Sequence, residues 1–152
     1  GVYLCVTVAD CVPILIHDPG HRAVAAVHAG WRGSAAGILL HASNLMRSAF
    51  GTNPGDLRAY VGPAAGGCCY EVGPEVAERF SPRYLAEHQG SLRLDLKAFN
   101  ADALLEAGVQ ASHIEVSPLC TITDSHLLHS YRRDGPRSGR MMAVIGIRPQ
   151  GS

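Results

Sequence analysis

Short apolar runs, separated by turns rich in glycine and proline, follow one another along most of this chain. Those without helical periodicity predict β-strands. The predicted strands lie at residues 2–8, 12–18, 22–27, 57–61, 92–96, 113–116 and 141–147. Apolar residues recur at helical spacing in residues 34–50 and 97–107, and a proline in the first turn favours a shorter helix over residues 74–80. Strands and helices therefore interleave, as in one domain of mixed structure.

Helix ends and loops have their own signals. Ser34 is the predicted N-cap of the first long helix, and Gly51 is its predicted end. Gly108 ends the helix over residues 97–107 in the same way. Residues 62–73 hold too many glycines for a regular element, and residues 130–140 place several arginines in a polar segment that predicts a loop.

The sequence between Cys11 and His28 predicts a β-hairpin. The strands at 12–18 and 22–27 flank a turn, and a two-residue Pro19-Gly20 loop sets Cys11 directly opposite His28. Directly opposed side chains on one face have Cβ atoms ~5 Å apart, which suits a shared metal ion or a thiolate–imidazole pair. A slip of one residue would send the two side chains to opposite faces.

Composition limits the classes of function. The chain has 152 residues, 47% of them hydrophobic, which is enough for one domain with a core. Thirteen basic residues balance thirteen acidic ones, so no overall charge attracts nucleic acid or a membrane surface. No segment approaches the ~18 apolar residues of a membrane span. Five cysteines form no secreted disulfide framework, which favours a cytoplasmic protein.

The chain starts within a strand pattern and without methionine. We therefore expect residues 1–148 to be the C-terminal portion of a single domain and residues 149–152 to be a tail.

Four motifs, in this order, carry a family resemblance. They are Thr7-Val-Ala-Asp-Cys-Val-Pro13, His28-Ala-Gly-Trp-Arg-Gly33, Gly62-Pro-Ala-Ala-Gly-Gly-Cys-Cys-Tyr-Glu-Val-Gly73 and Ser130-Tyr-Arg-Arg-Asp-Gly135. Together they resemble the laccase-domain, or YfiH-like, family, whose members are called multicopper polyphenol oxidases or purine nucleoside phosphorylases. The resemblance implies an α+β fold, a layered α/β/β/α sandwich with mixed sheets, of which this chain lacks the N-terminal part.

The resemblance also implies a metal site of one cysteine and two histidines, holding zinc with copper as an alternative. Cys11 and His28 match two of these ligands. The remaining histidine belongs to a motif upstream of this sequence. Three such ligands leave one position open for water or substrate, which is typical of a catalytic site.

The activity implied is phosphorolysis of adenosine, inosine and methylthioadenosine, with deamination of adenosine as a side activity. Copper-dependent oxidation of polyphenols is the first alternative, since copper binds such ligands readily. A metal-free Cys-His hydrolase or deamidase is the second. Metal content separates the first two from the third, and phosphate dependence separates the first from the others. The expected partners are therefore a purine nucleoside and phosphate.

Side chains near the two ligands suit this chemistry. Asp10 is a candidate proton carrier, although strand alternation directs it away from Cys11 unless the backbone kinks, and Pro13 favours a bulge there. Arginines form bidentate contacts with phosphate, and aromatic rings stack on purines. The candidate phosphate- and substrate-binding residues are Arg32, Arg132, Arg133, Arg140, Trp31 and Tyr70.

The other cysteines have simpler interpretations. Cys5 and Cys120 are expected to be packed residues, and Cys68-Cys69 lies in the glycine-rich loop, where it is expected to border the pocket. His126 and His129 have the spacing of a helical ligand pair, which stays an alternative. The remaining histidines suit surface or turn positions.

Overall fold

The structure, a computed structural model, describes residues 1–148 of the chain, so the expected tail at 149–152 lies outside the described residues. Its strands are β1 (Tyr3–Val8), β2 (Val12–Asp18), β3 (Ala23–Ala29), β4 (Arg58–Val61), β5 (Glu71–Val72), β6 (Leu85–His88), β7 (Ser91–Leu94), β8 (Ile114–Val116) and β9 (Met141–Gly146). Its α-helices are α1 (Trp31–Ala35), α2 (Ile38–Phe50), α3 (Pro74–Ala77), α4 (Leu96–Glu106) and α5 (Tyr131–Asp134).

The strands form three sheets. The central sheet has the order β3-β2-β4-β8 and is mixed, because β4 and β8 run parallel while the other pairs are antiparallel. A second sheet pairs β1 with β9, and a third has the order β5-β7-β6. Helices α2 and α4 pack against the central sheet, and β1 and β9 contact β2 and β3. The fold is α+β with mixed sheets, as expected from the resemblance.

The hydrophobic core is centred on β2. Ile14 is fully buried and stands between Val27 of β3 and Val61 of β4. Leu39 of α2 and Leu104 of α4 are buried in the same core. The β1–β9 sheet differs, because Met142 and several of its other apolar side chains are exposed. None of the helices described in residues 1–148 has the length and apolar character to cross a membrane.

The hairpin loop is longer than predicted. Asp18 pairs with Ala23, so the loop holds four residues and ends at Arg22, whose φ is +51°. The Asp18 carboxylate accepts hydrogen bonds from the backbone N–H groups of Gly20 (2.9 Å) and His21 (3.0 Å). These side-chain to backbone bonds stabilise a wider turn than a two-residue loop. The prediction that Cys11 stands directly opposite His28 is therefore wrong by two residues.

The helices also depart from the predictions in part. Gly51 and Gly108 end their helices with positive φ, as predicted. The first long helix, however, begins at Ile38 after Gly37 (φ +76°), and Ser34 is no cap but is buried, with its hydroxyl bonded to Asn100. Helix α3 is shorter than predicted, and β6 and α5 lie where no element was predicted. Strand β5 lies at the end of residues 62–73, where the glycines predicted no regular element.

Candidate active-site pocket

A pocket of about 340 Å³ opens where the turn between β1 and β2 meets β3 and α5. This volume lies within the range of small-molecule sites. Its lining residues are Thr7, Val8, Ala9, Asp10, Cys11, His28, Trp31, Tyr70, Leu96, Tyr131, Arg132 and Arg140. The pocket therefore brings together residues from both ends of the chain.

The hairpin register places Cys11 and His28 on the lining of this pocket. His28 pairs with Pro13, and Cys11 lies two residues before Pro13. A shift of two residues preserves the face to which a side chain points, because the side-chain period of a strand is two. Cys11 and His28 are thus diagonal neighbours rather than opposed ones, and both line the pocket.

Asp10 lies beside them because the backbone turns sharply. Its φ is +89°, and residues 9–11 separate β1 from β2. The kink therefore lies at Asp10, whereas Pro13 is a paired residue of β2. One carboxylate oxygen accepts a hydrogen bond from the Thr121 hydroxyl (2.7 Å), and the other accepts one from the Arg132 backbone N–H (2.7 Å). Asp10 is thereby fixed as a hydrogen-bond acceptor at the edge of the pocket.

The thiol of Cys11 is partly enclosed. Burial raises its pKa above the ordinary value, and the negative charge of Asp10 raises the pKa further. A Cβ atom on Gly30 would lie 3.1 Å from the Cys11 Sγ, so glycine at this position leaves room for the thiol. His28, in contrast, is solvent-exposed.

Two of the predicted arginines border the pocket. The Arg132 guanidinium lies 5.1 Å from the centre of the Tyr70 ring and donates a hydrogen bond to the Glu71 carbonyl oxygen (3.1 Å). Arg140 lies 5.6 Å from the Tyr131 ring. Tyr70 is buried, whereas both arginines are exposed to solvent. The structure therefore places two cations and two aromatic rings around one opening.

The other two predicted arginines do not line this pocket. Arg133 donates hydrogen bonds to the backbone carbonyls of Thr121 (2.7 Å), Ile122 (3.2 Å) and Leu128 (3.0 Å), and its guanidinium also pairs with the Asp134 carboxylate (2.7 Å). Arg133 thus ties together the segment beneath α5.

Arg32 lies 4.2 Å from the Trp31 ring and lines a neighbouring groove with Arg79. Trp31, which is half-buried, contributes to both openings.

Sequence reasoning missed a cluster of sulfur atoms. The Sγ atoms of Cys68, Cys69 and Cys120 lie within 4.8 Å of one another, and we call these three residues the thiol cluster. Cys68 and Cys69 were expected to border the pocket, but neither residue lines it. The Cys68-Cys69 pair was visible in the sequence, but no local signal links it to Cys120. Cys5, expected to be packed, is exposed on β1.

Comparison with known proteins places this chain in a family. The family model described as multi-copper polyphenol oxidoreductase laccase matches residues 1–148. The chain is 41% identical to the purine nucleoside phosphorylase YlmD of Geobacillus stearothermophilus over 158 aligned residues, which cover 99% of this chain and 58% of that protein. It is 38% identical to the purine nucleoside phosphorylase YlmD of Bacillus subtilis, covering 97% of this chain and 57% of that protein.

Solved structures agree with these similarities. The crystal structure of YlmD from Geobacillus stearothermophilus superposes with a TM-score of 0.91 at 42% identity, covering 97% of this chain and 58% of that one. That of the Bacillus licheniformis hypothetical protein YfiH gives a TM-score of 0.90 at 38% identity, covering 96% of this chain and 58% of that one. The chain thus spans less than two thirds of the length of these relatives, and it belongs to the multi-copper polyphenol oxidoreductase laccase family.

Proposed function

We propose that this chain supplies much of the active site of a metal-dependent purine nucleoside phosphorylase. In this proposal residues 1–148 are the C-terminal portion of a single laccase-type domain in a cytoplasmic enzyme. The substrates are adenosine, inosine and methylthioadenosine, and adenosine deamination is a side activity. The supporting observation is the pocket, which joins Cys11 and His28 with an acidic group and two arginines. Two relatives at about 40% identity bear the name purine nucleoside phosphorylase.

The proposed reaction replaces the bond from the ribose to the base with a bond from the ribose to phosphate, and it transfers one proton to the base. The bond between the ribose C1′ and the purine N9 breaks, and its electron pair leaves with the base. A phosphate oxygen forms a new bond to C1′, which gives ribose 1-phosphate, or its 5-methylthio counterpart when the substrate is methylthioadenosine. The proton of hydrogen phosphate is transferred to the departing base. Asp10 fits the role of carrier, because its fixed oxygens can accept that proton and pass it on.

The donor atoms in the pocket fit the metal of the family. A cysteine sulfur and a histidine nitrogen are ordinary zinc ligands, and Cys11 and His28 face the same space. In the proposal these two residues hold the ion with a histidine from upstream of this sequence, and copper is the alternative ion. When bound, zinc supplies Lewis-acid chemistry at neutral pH.

Arg132 and Arg140 are the proposed phosphate ligands, because both residues line the pocket. Tyr70 and Trp31 offer ring faces for the purine base. Arg32 and Arg133 were candidates for the same role on sequence grounds, but the structure holds them elsewhere. Their proposed role is structural.

The test uses the full-length protein and measures ribose 1-phosphate formation against phosphate concentration. Cys11→Ser and His28→Ala should each abolish product formation. Arg132→Ala should raise the KM for phosphate about 10- to 150-fold, because a charge-assisted hydrogen bond contributes roughly 1.5–3 kcal/mol.

Arg137→Ala is the matched control, since Arg137 is exposed and lies outside the pocket lining, and it should leave the KM unchanged. Cleavage that does not depend on phosphate would refute phosphorolysis and favour the hydrolase alternative. Phenol oxidation that requires copper, without nucleoside cleavage, would favour the oxidase alternative.

A further inference from the structure

The thiol cluster joins two loops that are distant in sequence. Cys68 and Cys69 belong to the glycine-rich segment between β4 and β5, and Cys120 lies in the segment between β8 and α5. Cys120 is buried, Cys69 is half-buried and Cys68 is exposed, so one side of the cluster is open to solvent. An ion in solution can therefore reach sulfur atoms that are otherwise enclosed by protein.

The spacing suits a single ion of the thiophilic class. With metal–sulfur bonds of about 2.3 Å, two sulfur ligands of one ion lie roughly 3.8–4.0 Å apart. All three Sγ atoms lie within 4.8 Å of one another. The Sγ atoms of Cys68 and Cys69 are 3.0 Å apart, so this pair must separate by about 0.8–1.0 Å to reach the required spacing. A disulfide bond is much shorter, at about 2.05 Å, and the structure has all three cysteines free.

Gly66 contacts the thiol cluster through its backbone and has no side chain that would crowd the sulfur atoms. The Gly66 N–H donates a hydrogen bond to the Cys120 Sγ at 3.3 Å. A Cβ atom on Gly66 would lie 3.3 Å from the Sγ atoms of both Cys120 and Cys68, so a side chain there would crowd the sulfur atoms. Glycine at this position therefore leaves room for the sulfur atoms of Cys68 and Cys120.

The pKa values of two of the three thiols are shifted in opposite directions. Burial opposes ionisation of Cys120, but backbone hydrogen bonds from Thr123, Gly66 and Ile122 lower the pKa of Cys120 to about 7. Burial and the neighbouring sulfur atoms raise the pKa of Cys69 to about 12. Cys120 thus ionises more readily than an ordinary thiol, and a cation among the sulfur atoms offsets the repulsion between further thiolates.

We propose that the thiol cluster is a second metal site, separate from Cys11 and His28, that binds one soft ion of the class of Cu⁺ or Zn²⁺. Each ligating thiol releases its proton to solvent as its metal–sulfur bond forms. Soft thiolate ligands select these ions over hard cations such as Mg²⁺ or Ca²⁺. Within residues 1–148 the three thiols are the whole of this cluster, so a tetrahedral ion bound there would take its fourth ligand from outside the cluster.

The site would support the pocket without taking part in the chemistry. Tyr70, which follows Cys69, lines the pocket, and Thr121, which follows Cys120, holds the Asp10 carboxylate at 2.7 Å. An ion bound by the thiol cluster therefore cross-links the two loops that position these groups. We expect metal binding to raise the melting temperature, because a ligand that binds only the folded state stabilises it.

The experiment measures metal uptake in the full chain with Cys11→Ser and His28→Ala already introduced, so that the pocket donors do not contribute. Under reducing conditions, Zn²⁺ and Cu⁺ are each titrated against a competing chelator. One equivalent of at least one ion should bind, with a rise in melting temperature. Cd²⁺ serves as a reporter, because its bonds to thiolates give a charge-transfer absorption in the ultraviolet.

Cys68→Ser should reduce uptake, and the Cys68→Ser/Cys69→Ser double variant should abolish it. Cys68 is exposed and Cys69 is half-buried, so we expect both variants to fold. Cys120→Ser should abolish uptake as well. Cys5→Ser is the matched control, because Cys5 is exposed and outside the cluster, and it should bind like its parent. Absence of stoichiometric binding by both ions, or binding unchanged in the Cys68→Ser/Cys69→Ser protein, would overturn the proposal.

Discussion

The two sides of the pocket are held by different kinds of interaction. The first, which we call the hairpin wall, consists of Asp10, Cys11 and His28 and is built on β2 and β3, whose inner side chains are buried. The second, the arginine wall, consists of Tyr131, Arg132 and Arg140 and belongs to a segment with a single turn of α-helix. All three of its side chains are exposed.

Packing of β2 and β3 positions Cys11 and His28 of the hairpin wall, whereas hydrogen bonds position Asp10 and the arginine wall. Beneath the first, Ile14 is 0% exposed and pairs with strands on both sides. Beneath the second, Ser130 caps α5 and Arg133 binds three backbone carbonyls. The donor atoms proposed for the metal therefore lie on the rigid side of the pocket, and the groups proposed for phosphate lie on the side that adjusts more easily.

The strongest test of this contrast removes the packing below the hairpin wall. Ile14→Ala should lower the free energy of unfolding by about 2–5 kcal/mol, because it leaves a cavity in the core. Met142→Ala on the β1–β9 sheet is the control, since Met142 is 71% exposed, and its effect should be within about 0.5 kcal/mol. Urea denaturation measures both. Equal losses would show that the two sheets do not differ in this way.

A second test addresses the turn that sets the hairpin register. Burial alone would raise the pKa of Asp18, but hydrogen bonds from Thr52 and His21 lower it below its ordinary value. Asp18→Asn should cost roughly 1.5–3 kcal/mol at neutral pH, since these are hydrogen bonds to a charged group.

The lowered pKa fixes the direction of the pH dependence. The contribution of Asp18 is complete above the ordinary carboxyl pKa and is lost as the pH falls through the folded-state value. Stability curves of the two proteins should therefore converge in acid, whereas Glu87→Gln, which changes an exposed carboxylate, should follow the parent. A difference that persisted unchanged at the lowest pH would contradict this account.

The smallest expected effect comes from the arginine wall. Ser130 is buried and its hydroxyl accepts a hydrogen bond from the Arg133 backbone N–H (3.2 Å). Ser130→Ala should cost about 1 kcal/mol, as loss of a helix cap usually does. Ser125→Ala, at an exposed position, is the control. Thermal unfolding measures this loss of stability. Hydrogen exchange in the Ser130→Ala protein should be accelerated at α5 more than in β2. Exchange at α5 slower than in the parent would contradict the role of the cap.

The same contrast explains what the sequence predicts. The bounds of β2 agree with the prediction at both ends, because an apolar run between turn residues is a local signal. The four-residue loop after it was not predicted, since Pro19-Gly20 also suits a two-residue loop and the Asp18 carboxylate that stabilises the wider turn is held in addition by Thr52, far along the chain. Helix α5 was missed because a single capped turn leaves no periodic pattern.

Candidate residues follow the same division. The sequence predicted that the residues of the hairpin wall share one site, and the structure has all three in one pocket. The predicted hairpin register was wrong by two residues, but a shift of two leaves each side chain on the same face of the sheet. The sequence could not show which of the neighbours Arg132 and Arg133 lines the pocket. Their side chains bind different backbone carbonyl groups, and these groups are brought together only by folding. The thiol cluster escaped prediction for the same reason.

The two hydrogen bonds of the Asp10 carboxylate set the order in which the site can form. They join residues separated by 111 and 122 positions in the sequence. Closing chain segments of this length costs more conformational entropy than closing a hairpin, and local hairpins form within microseconds. We therefore expect the β2–β3 hairpin to form before Asp10 is fixed. During synthesis, the acidic group of the pocket stays unpositioned until residue 132 has been made, and pulsed hydrogen exchange should show the Arg132 amide protected after those of β2 and β3.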